Sequence, residues 1–303
     1  MSSLHFAKPI HLMLLDALQP FTTLWSHICT LFLFTKSDFK TSVIPMSFSA
    51  LALAPDLQTS SILEGTFWIW IHILQFSVSN QIVGVEEDKE NKPWRPLPAG
   101  RITLKSARRL WSLLVPICWS YSLWYGMKTF YASVAFVIAT ILHNDLEAHG
   151  HWLLRNVLSA VGLGAIEIGA AIIMCSAAYD RRHLDHIALN AVCISAAIIT
   201  TTMHSQDFKD VIGDEKIGRA TLPIIAPTFA RYSIIWGLTI WSMTLAYVWD
   251  LNSRFAVAFL ALGIFTGYRH VSLRSVKDDQ ISYYWYNVWL SIAHFLPYYY
   301  RYM

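Results

Sequence analysis

The sequence predicts an all-α integral membrane protein, with nine transmembrane helices and an N-terminal interfacial helix. Three observations predict this fold. Hydrophobic residues make up 55% of the 303 residues and charged residues only 14%, and the mean hydropathy is +0.41. Apolar stretches near the roughly 20 residues that cross a bilayer recur along the chain. Charged residues are collected in blocks between these stretches, as in membrane loops.

Nine apolar segments are expected to span the membrane. The shorter apolar segment 22–35 lies between Pro20 and the charged sequence that begins at Lys36, which favours an interfacial or re-entrant helix. A tenth span is the alternative for this segment. The chain is therefore divided into an N-terminal interfacial segment, 1–37, and a transmembrane domain, 38–303. The nine expected spans cover approximately 38–57, 63–86, 104–122, 128–145, 155–177, 185–206, 229–249, 254–270 and 281–300.

The distribution of lysine and arginine predicts the orientation of the bundle. With nine spans, the loops 87–103, 146–154, 207–228 and 271–280 share one side of the membrane. With their flanking turns these loops hold fifteen basic residues, against five on the opposite side, so the positive-inside rule places them in the cytosol. The five on the opposite side are Lys128, Arg181, Arg182, Arg254 and Arg301.

Composition also narrows the class of function. The net charge of +3 is too small to indicate binding to nucleic acid. The N-terminus lacks a basic region followed by an apolar run and a cleavage site, so no signal peptide is predicted. No cysteine spacing suggests zinc, and packing in the apolar stretches is expected for Cys29, Cys118, Cys175 and Cys193.

An acidic segment follows the sixth expected span. Asp207, Asp210 and Asp214 are spaced i, i+3 and i+7, which places three carboxylates on one face of a helix. Carboxylates this close repel one another, so a divalent cation is their natural partner. Mg²⁺ is usually held by a few carboxylates together with substrate phosphates. The segment therefore predicts a magnesium and diphosphate site, with a solvated acidic helix end as the alternative.

A second polar segment, residues 80–96, follows the second expected span. Asn80 offers a neutral oxygen ligand, and Glu87 and Asp88 offer negative charge. Lys92 and Arg95 follow at once and can hold diphosphate oxygens, the guanidinium through its planar fork. An ordinary charged loop between two spans is the alternative interpretation. If both segments face one site, it would take a lipid-soluble diphosphate from the lipid bilayer.

These observations give one expected site. Its catalytic carboxylates are expected to be Asp88, Asp207, Asp210 and Asp214. The ligands of Mg²⁺ are expected to be Asn80, Glu87, Asp88, Asp207, Asp210 and Asp214. The diphosphate is expected to bind Asn80, Lys92, Arg95, Lys209 and Arg219.

Two patterns in these segments carry a resemblance to a known family. The first reads Asn-x7-Asp-x2-Asn-x3-Arg-Pro-Leu-Pro-x-Gly, and the second reads Asp-x2-Asp-x3-Asp-x3-Gly-x2-Thr-Leu-Pro. Together they resemble the UbiA superfamily of intramembrane prenyltransferases, and the span count and motif placement agree over nearly the whole chain. The resemblance implies a nine-helix bundle around a central cavity. It also implies that diphosphate and Mg²⁺ bind at the cytosolic end of the bundle, with the prenyl chain lying within the membrane.

Two features depart from the pattern of the prenyl-transferring members. Those members usually carry Asn-Asp-x2-Asp-x3-Asp at the first site, where this chain has Gln81 and Gly84 in place of two acids. They also commonly place Lys before the second motif, where this chain has Gln206. The combination is similar to the fungal branch that includes UbiA-type terpene cyclases, which implies the endoplasmic reticulum as the membrane.

Three functions follow from these motifs. The first is a Mg²⁺-dependent terpene cyclase, a carbon–oxygen lyase that ionises farnesyl or geranylgeranyl diphosphate and closes the cation to a hydrocarbon. The second is transfer of the prenyl group onto an aromatic ring. The third is a transporter or channel, which two acidic segments on the same side fit less well. Glu167 lies in the middle of a span, and we expect it to face the bundle interior, protonated and hydrogen-bonded or accepting a proton in the reaction.

Overall fold

The computed structural model describes residues 10–55, 57–175 and 184–303, with side chains from residue 22 onward. Part of the expected N-terminal segment, residues 1–9, lies outside the described residues. So do Arg181 and Arg182, two of the basic residues used to assign the orientation.

The described chain is built from α-helices joined by short turns, which confirms the all-α prediction. A π-helix, Phe39–Val43, precedes α2, and 3₁₀-helices occupy Thr59–Ser61, Ala148–Gly150, Met203–Gln206 and Phe208–Asp210. The α-helices are α1 Ile10–Thr35, α2 Ile44–Leu53, α3 Ile62–Val83, α4 Val85–Asn91, α5 Leu104–Tyr125, α6 Met127–Asn144, α7 Trp152–Met174, α8 His186–Thr202, α9 Val211–Lys216, α10 Leu222–Ile225, α11 Pro227–Val248, α12 Ser253–Ser272 and α13 Val276–Tyr302.

A helix occupies each of the nine segments expected to span the membrane. Within the described residues, three helical runs combine the length and the hydropathy that a membrane crossing requires: Trp152–Met174, His186–Lys216 and Ser253–Ser272. The presence of these runs supports an integral membrane protein, and the count of nine spans stays a prediction. The N-terminal helix α1 begins well before the apolar segment 22–35, and its position at the membrane also stays a prediction.

The helices form a bundle in which α7 packs against both α6 and α8, and α13 packs against α2. Close approach depends on small residues: a Cβ at Gly169 of α7 would lie 2.4 Å from Cη2 of the fully buried Trp68 on α3. Other large apolar side chains point outward, including Leu113, Trp236 and Val257, each more than half exposed. Such a surface is stable against lipid, where apolar side chains need no cover.

Glu167 is fully buried inside the bundle, as its sequence position led us to expect. Ser195 of α8 donates a 2.6 Å hydrogen bond to Glu167 Oε1, and the Ser195 hydroxyl also lies 3.0 Å from Nε2 of His294 on α13. Of the two expected roles, hydrogen bonding is therefore present. A carboxyl group at this depth needs such partners because a buried polar group without them is costly.

An apolar cavity of about 850 Å³ lies beside α13, bounded by the π-helix, α2 and the start of α12. The polar residues that line the cavity include Lys40, Asn252 and Tyr299. Several lining side chains, among them Phe48 and Val288, are exposed on the outer surface of the bundle, so the cavity opens sideways. The cavity therefore lies between the helices at one side of the bundle, and the central cavity that the resemblance implies stays a prediction.

Candidate functional site

The two acidic segments meet where α4 packs against α9. Gly84 ends α3 and starts α4, which turns the chain across the end of the bundle. On the facing segment, a Cβ at Gly213 would lie 2.1 Å from Asn91 Nδ2 of α4. A side chain at position 213 would therefore have to displace the Asn91 side chain for the two segments to approach this closely.

The second acidic segment is not a regular helix, and the predicted helical face is wrong in this respect. After α8 the chain runs through two 3₁₀ turns, so Asp207 follows the first turn, Asp210 ends the second, and Asp214 lies in α9. Tighter 3₁₀ turns rotate successive side chains differently from an α-helix. Each carboxylate consequently contacts a different basic side chain.

Asp88 of α4 is paired with Arg95 from the turn that follows the helix. Arg95 Nη1 lies 2.7 Å and 2.9 Å from the two carboxylate oxygens of Asp88. Both side chains are buried, and burial raises the pKa of Asp88 although Arg95 opposes that shift. Arg95 also donates to the Ser37 hydroxyl at 3.4 Å, which connects the first segment to the chain just after α1.

Asp207 is paired with a residue that the sequence analysis did not assign to the site. Arg155, in the first turn of α7, places Nη2 2.9 Å from Oδ1 of Asp207, and the Asp207 side chain is only 1% exposed. The sequence signal that could have identified Arg155 was its position as a single arginine at the start of a span, on the same side of the membrane as the motifs. Motif spacing does not reveal this contact, because α7 is distant in sequence from both segments.

Arg219 joins the two acidic segments directly. Its Nη1 atom lies 2.9 Å from Oδ1 of Asp214 and 2.6 Å from Oε2 of Glu87. Gly218, at a φ of +73°, makes the tight turn that returns Arg219 over α9, a conformation that favours glycine. The predicted involvement of Arg219, Asp214 and Glu87 in one site therefore has a direct geometric basis.

Asp210 is held between two lysines. Lys92 Nζ lies 3.4 Å and Lys209 Nζ lies 2.5 Å from Asp210 Oδ2. Burial lowers the pKa of Lys92, and the Asp210 carboxylate opposes that shift. Lys209 Nζ also stands 5.3 Å from the ring centroid of Tyr283 on α13, so an aromatic face supports the cation.

The contacts bring together five carboxylates and five basic side chains, so this charged cluster is formally neutral. Asn80 is half-buried in the last turn of α3, and its backbone carbonyl accepts a hydrogen bond from Gly84. Its uncharged side chain takes no part in the ion pairs, and its predicted role as a Mg²⁺ ligand stays a prediction. The carboxylates are Glu87, Asp88, Asp207, Asp210 and Asp214, and the cations are Lys92, Arg95, Arg155, Lys209 and Arg219.

The donor set of the charged cluster fits a hard divalent cation such as Mg²⁺. Among the described residues, no three acidic, histidine or cysteine side chains already converge on one metal position, because each carboxylate contacts a lysine or arginine. Asp214 Oδ2 is nevertheless buried without a hydrogen-bond partner in the described part of the chain. An anion that attracted the basic side chains would free further carboxylate oxygens of the kind that Mg²⁺ prefers.

Gly213→Ala tests the contact between the two segments. We expect the new methyl group to displace Asn91 and to reduce the free energy of unfolding by about 1–3 kcal/mol, the usual cost of overpacking. The measurement is unfolding of the detergent-solubilised protein. Gly150→Ala is the matched control because a Cβ there would meet nothing within 4 Å. Equal stability of the two variants would contradict the close packing at Gly213.

The chain is similar in sequence to several known proteins. A family model described as the UbiA prenyltransferase family matches residues 42–290. The fumagillin β-trans-bergamotene synthase of Aspergillus fumigatus is 32% identical over 273 residues, with 90% of this chain and 92% of that protein covered. A diterpene cyclase of Hericium erinaceus is 30% identical over 265 residues, with 84% of this chain and 82% of that protein covered.

A solved structure shares the fold at lower sequence identity. The UbiA homolog from Archaeoglobus fulgidus bound to GPP and Mg²⁺ superposes with a TM-score of 0.63 and 12% identity, over 88% of this chain and 99% of that one. At this identity the likeness concerns the helical architecture alone.

Proposed function

Because this chain belongs to the UbiA prenyltransferase family, we propose that it is a membrane-bound terpene cyclase acting on farnesyl or geranylgeranyl diphosphate with Mg²⁺. The charged cluster at one end of the bundle is the observation that carries this proposal. It combines oxygen ligands for a divalent cation with lysines and arginines that can hold a diphosphate. The similarity to a bergamotene synthase and a diterpene cyclase supports cyclisation as the reaction.

The basic side chains bind and orient the diphosphate in this proposal. Lys92, Lys209 and Arg219 each contact a carboxylate, and the diphosphate oxygens would compete with that carboxylate for them. The carboxylates released in this way, with Asn80, would hold Mg²⁺. Bound Mg²⁺ supplies positive charge that offsets the charge developing on the leaving diphosphate. The preorganised cations of the chain contribute to the same electrostatic stabilisation.

The apolar cavity beside α13 is suited to the hydrocarbon chain. Its volume of about 850 Å³ lies within the range of small-molecule sites, and its lining is mainly apolar and aromatic. Phe255, Phe295 and Tyr299 offer ring faces, which stabilise a cation by roughly 0.5–2 kcal/mol each. An apolar wall also excludes water, which would otherwise capture the carbocation before ring closure.

Ser291→Phe tests this assignment of the cavity. Ser291 lines the cavity from α13, so a phenyl ring at this position shortens the space available to a chain. We expect turnover of geranylgeranyl diphosphate to fall relative to farnesyl diphosphate, by roughly 10-fold or more, because overpacking of about 1–3 kcal/mol would oppose the longer chain. Competition between the two substrates measures the ratio. If the ratio of turnover of the two substrates is unchanged, the hydrocarbon chain of the substrate does not bind in this cavity.

At the two positions where the prenyl-transferring members of the family usually carry acids, this chain has the neutral residues Gln81 and Gly84. Gln81 is fully buried and donates a 2.9 Å hydrogen bond from Nε2 to the Phe34 carbonyl of α1, away from the ion pairs. Gly84 serves as the helix boundary between α3 and α4. Neither position supplies a charge to the site.

Transfer of a prenyl group to an aromatic acceptor is the second candidate, because the family is described as prenyltransferases. The relatives with cyclase and synthase names give no support to a transporter.

A single experiment separates the two candidates. Microsomes containing the protein are supplied with farnesyl or geranylgeranyl diphosphate and Mg²⁺, without an acceptor, and the hydrocarbon extract is analysed by gas chromatography–mass spectrometry. A cyclic hydrocarbon that disappears with a chelator supports the cyclase. A product that forms only after phenolic acids are added would assign the protein to the transferases. We propose the endoplasmic reticulum as the membrane and the cytosol as the side of the charged cluster.

A further inference from the structure

Phe208 lies between the site carboxylates Asp207 and Asp210 and is itself held from outside the charged cluster. Phe208 is 4% exposed and is the first residue of the 3₁₀ turn Phe208–Asp210. The guanidinium carbon of Arg231 stands 4.5 Å from the ring centroid, a distance typical of cation–π contact. The His270 ring packs against another part of Phe208, with ring centroids 5.7 Å apart.

Arg231 is fixed in place by a second set of contacts. Its Nη1 and Nη2 atoms lie 2.9 Å and 3.0 Å from the two carboxylate oxygens of Asp279, which gives a bidentate pair. Nη1 also donates to the His270 carbonyl at 2.6 Å. That carbonyl lies in the last turn of α12, where helix carbonyls lack partners within the helix. Arg231 therefore ties α11, α12 and α13 together directly above Phe208.

We infer that the Arg231–Asp279 pair is a positioning element that holds the site carboxylates through Phe208. Neither residue belongs to the charged cluster, so the pair acts through the aromatic ring. A 3₁₀ turn is short, and a shift of Phe208 must move Asp207 and Asp210 with it. Sites of this kind need their groups held within about 0.5 Å, which supporting residues with locked side chains provide. The inference rests on the proposed function, because it assigns the pair to the same metal and diphosphate site.

Arg231→Met tests the inference by removing both the fork and the cation over the ring. The readout is the thermal stabilisation of the solubilised protein by inorganic diphosphate, measured over a range of MgCl₂ concentrations. We expect the Mg²⁺ concentration for half-maximal stabilisation to rise by roughly 10- to 100-fold, as for other residues that orient metal ligands. Arg231→Lys keeps the charge but not the bidentate fork, and we expect an intermediate shift.

Arg301→Met is the matched control at the opposite end of the bundle. Arg301 also pairs with a carboxylate, Asp185, and donates to backbone carbonyls, those of Ala52 and Leu53. We expect this variant to lose stability while its Mg²⁺ requirement stays that of the unaltered protein. If Arg231→Met likewise loses stability with an unchanged Mg²⁺ requirement, the pair is only structural and the inference is wrong.

Two further results keep the test decisive. Should Arg231→Met fail to fold, Phe208→Leu keeps the ion pair and an apolar side chain, and the inference expects the same rise in Mg²⁺ requirement. An unchanged requirement in Phe208→Leu would overturn it. Failure of the metal and diphosphate site on which the proposed function depends has a different signature, since the unaltered protein would then show no stabilisation by diphosphate with Mg²⁺.

Discussion

We expect Asp210→Asn to reduce turnover of a prenyl diphosphate by at least roughly 100-fold while leaving the protein folded. The expected loss is comparable to that caused by removing one group that stabilises transition-state charge, about 2.7–4 kcal/mol. Asp210 is the carboxylate that contacts both Lys92 and Lys209, so its removal would affect a proposed Mg²⁺ ligand and the placement of two lysines that we propose bind the diphosphate. The measurement is product formation at saturating Mg²⁺, together with thermal unfolding to confirm the fold.

Glu215→Gln is the control for the loss of one carboxylate from this segment. Glu215 follows Asp214 in α9 but is exposed to solvent, so we expect turnover to change little. Full activity of Asp210→Asn would show that the Asp210 carboxylate is not needed for the reaction. A large loss of turnover in both variants would indicate an effect of the overall charge of the segment. The contacts of Asp210 would then not explain the loss.

Arg155→Met has the second large expected effect, on stability and turnover together. The substitution leaves the Asp207 carboxylate, 1% exposed, without its cation. Breaking a buried pair by removing one partner typically costs about 3–5 kcal/mol, because the remaining charge is buried without compensation. We therefore expect the free energy of unfolding to fall by about this amount, measured by chemical denaturation in detergent, and turnover to fall with it.

A double variant separates the two contributions of this pair. Arg155→Met combined with Asp207→Asn removes the uncompensated charge, so we expect most of the lost stability to return. Turnover should stay low because Asp207 no longer carries a negative charge for Mg²⁺. Recovery of turnover in the double variant would show that Asp207 only balances Arg155. An additive loss of stability would show that the two side chains do not interact.

The sequence alone determined the class of the fold and most members of the site. Long apolar stretches require helices in a membrane, because every backbone polar group must find a partner within its own segment. Helices accordingly occupy all nine expected segments, and family membership is confirmed. The spacing of short polar motifs also identified Asp88, Asp210 and Asp214 as neighbours of Lys92, Arg95, Lys209 and Arg219, and the structure places these side chains in contact. Asp207 instead contacts Arg155, which the motifs did not indicate.

Only the tertiary structure decided which charges meet and how the segments between them are held. Spacing predicted a regular helical face for the second segment, but the structure has two 3₁₀ turns there, which pack against α13. Arg155, Arg231 and Asp279 lie on helices far along the chain, and their contacts arise only when those helices pack. Pairing across helices depends on three-dimensional proximity, which a pattern of neighbours along one segment does not encode.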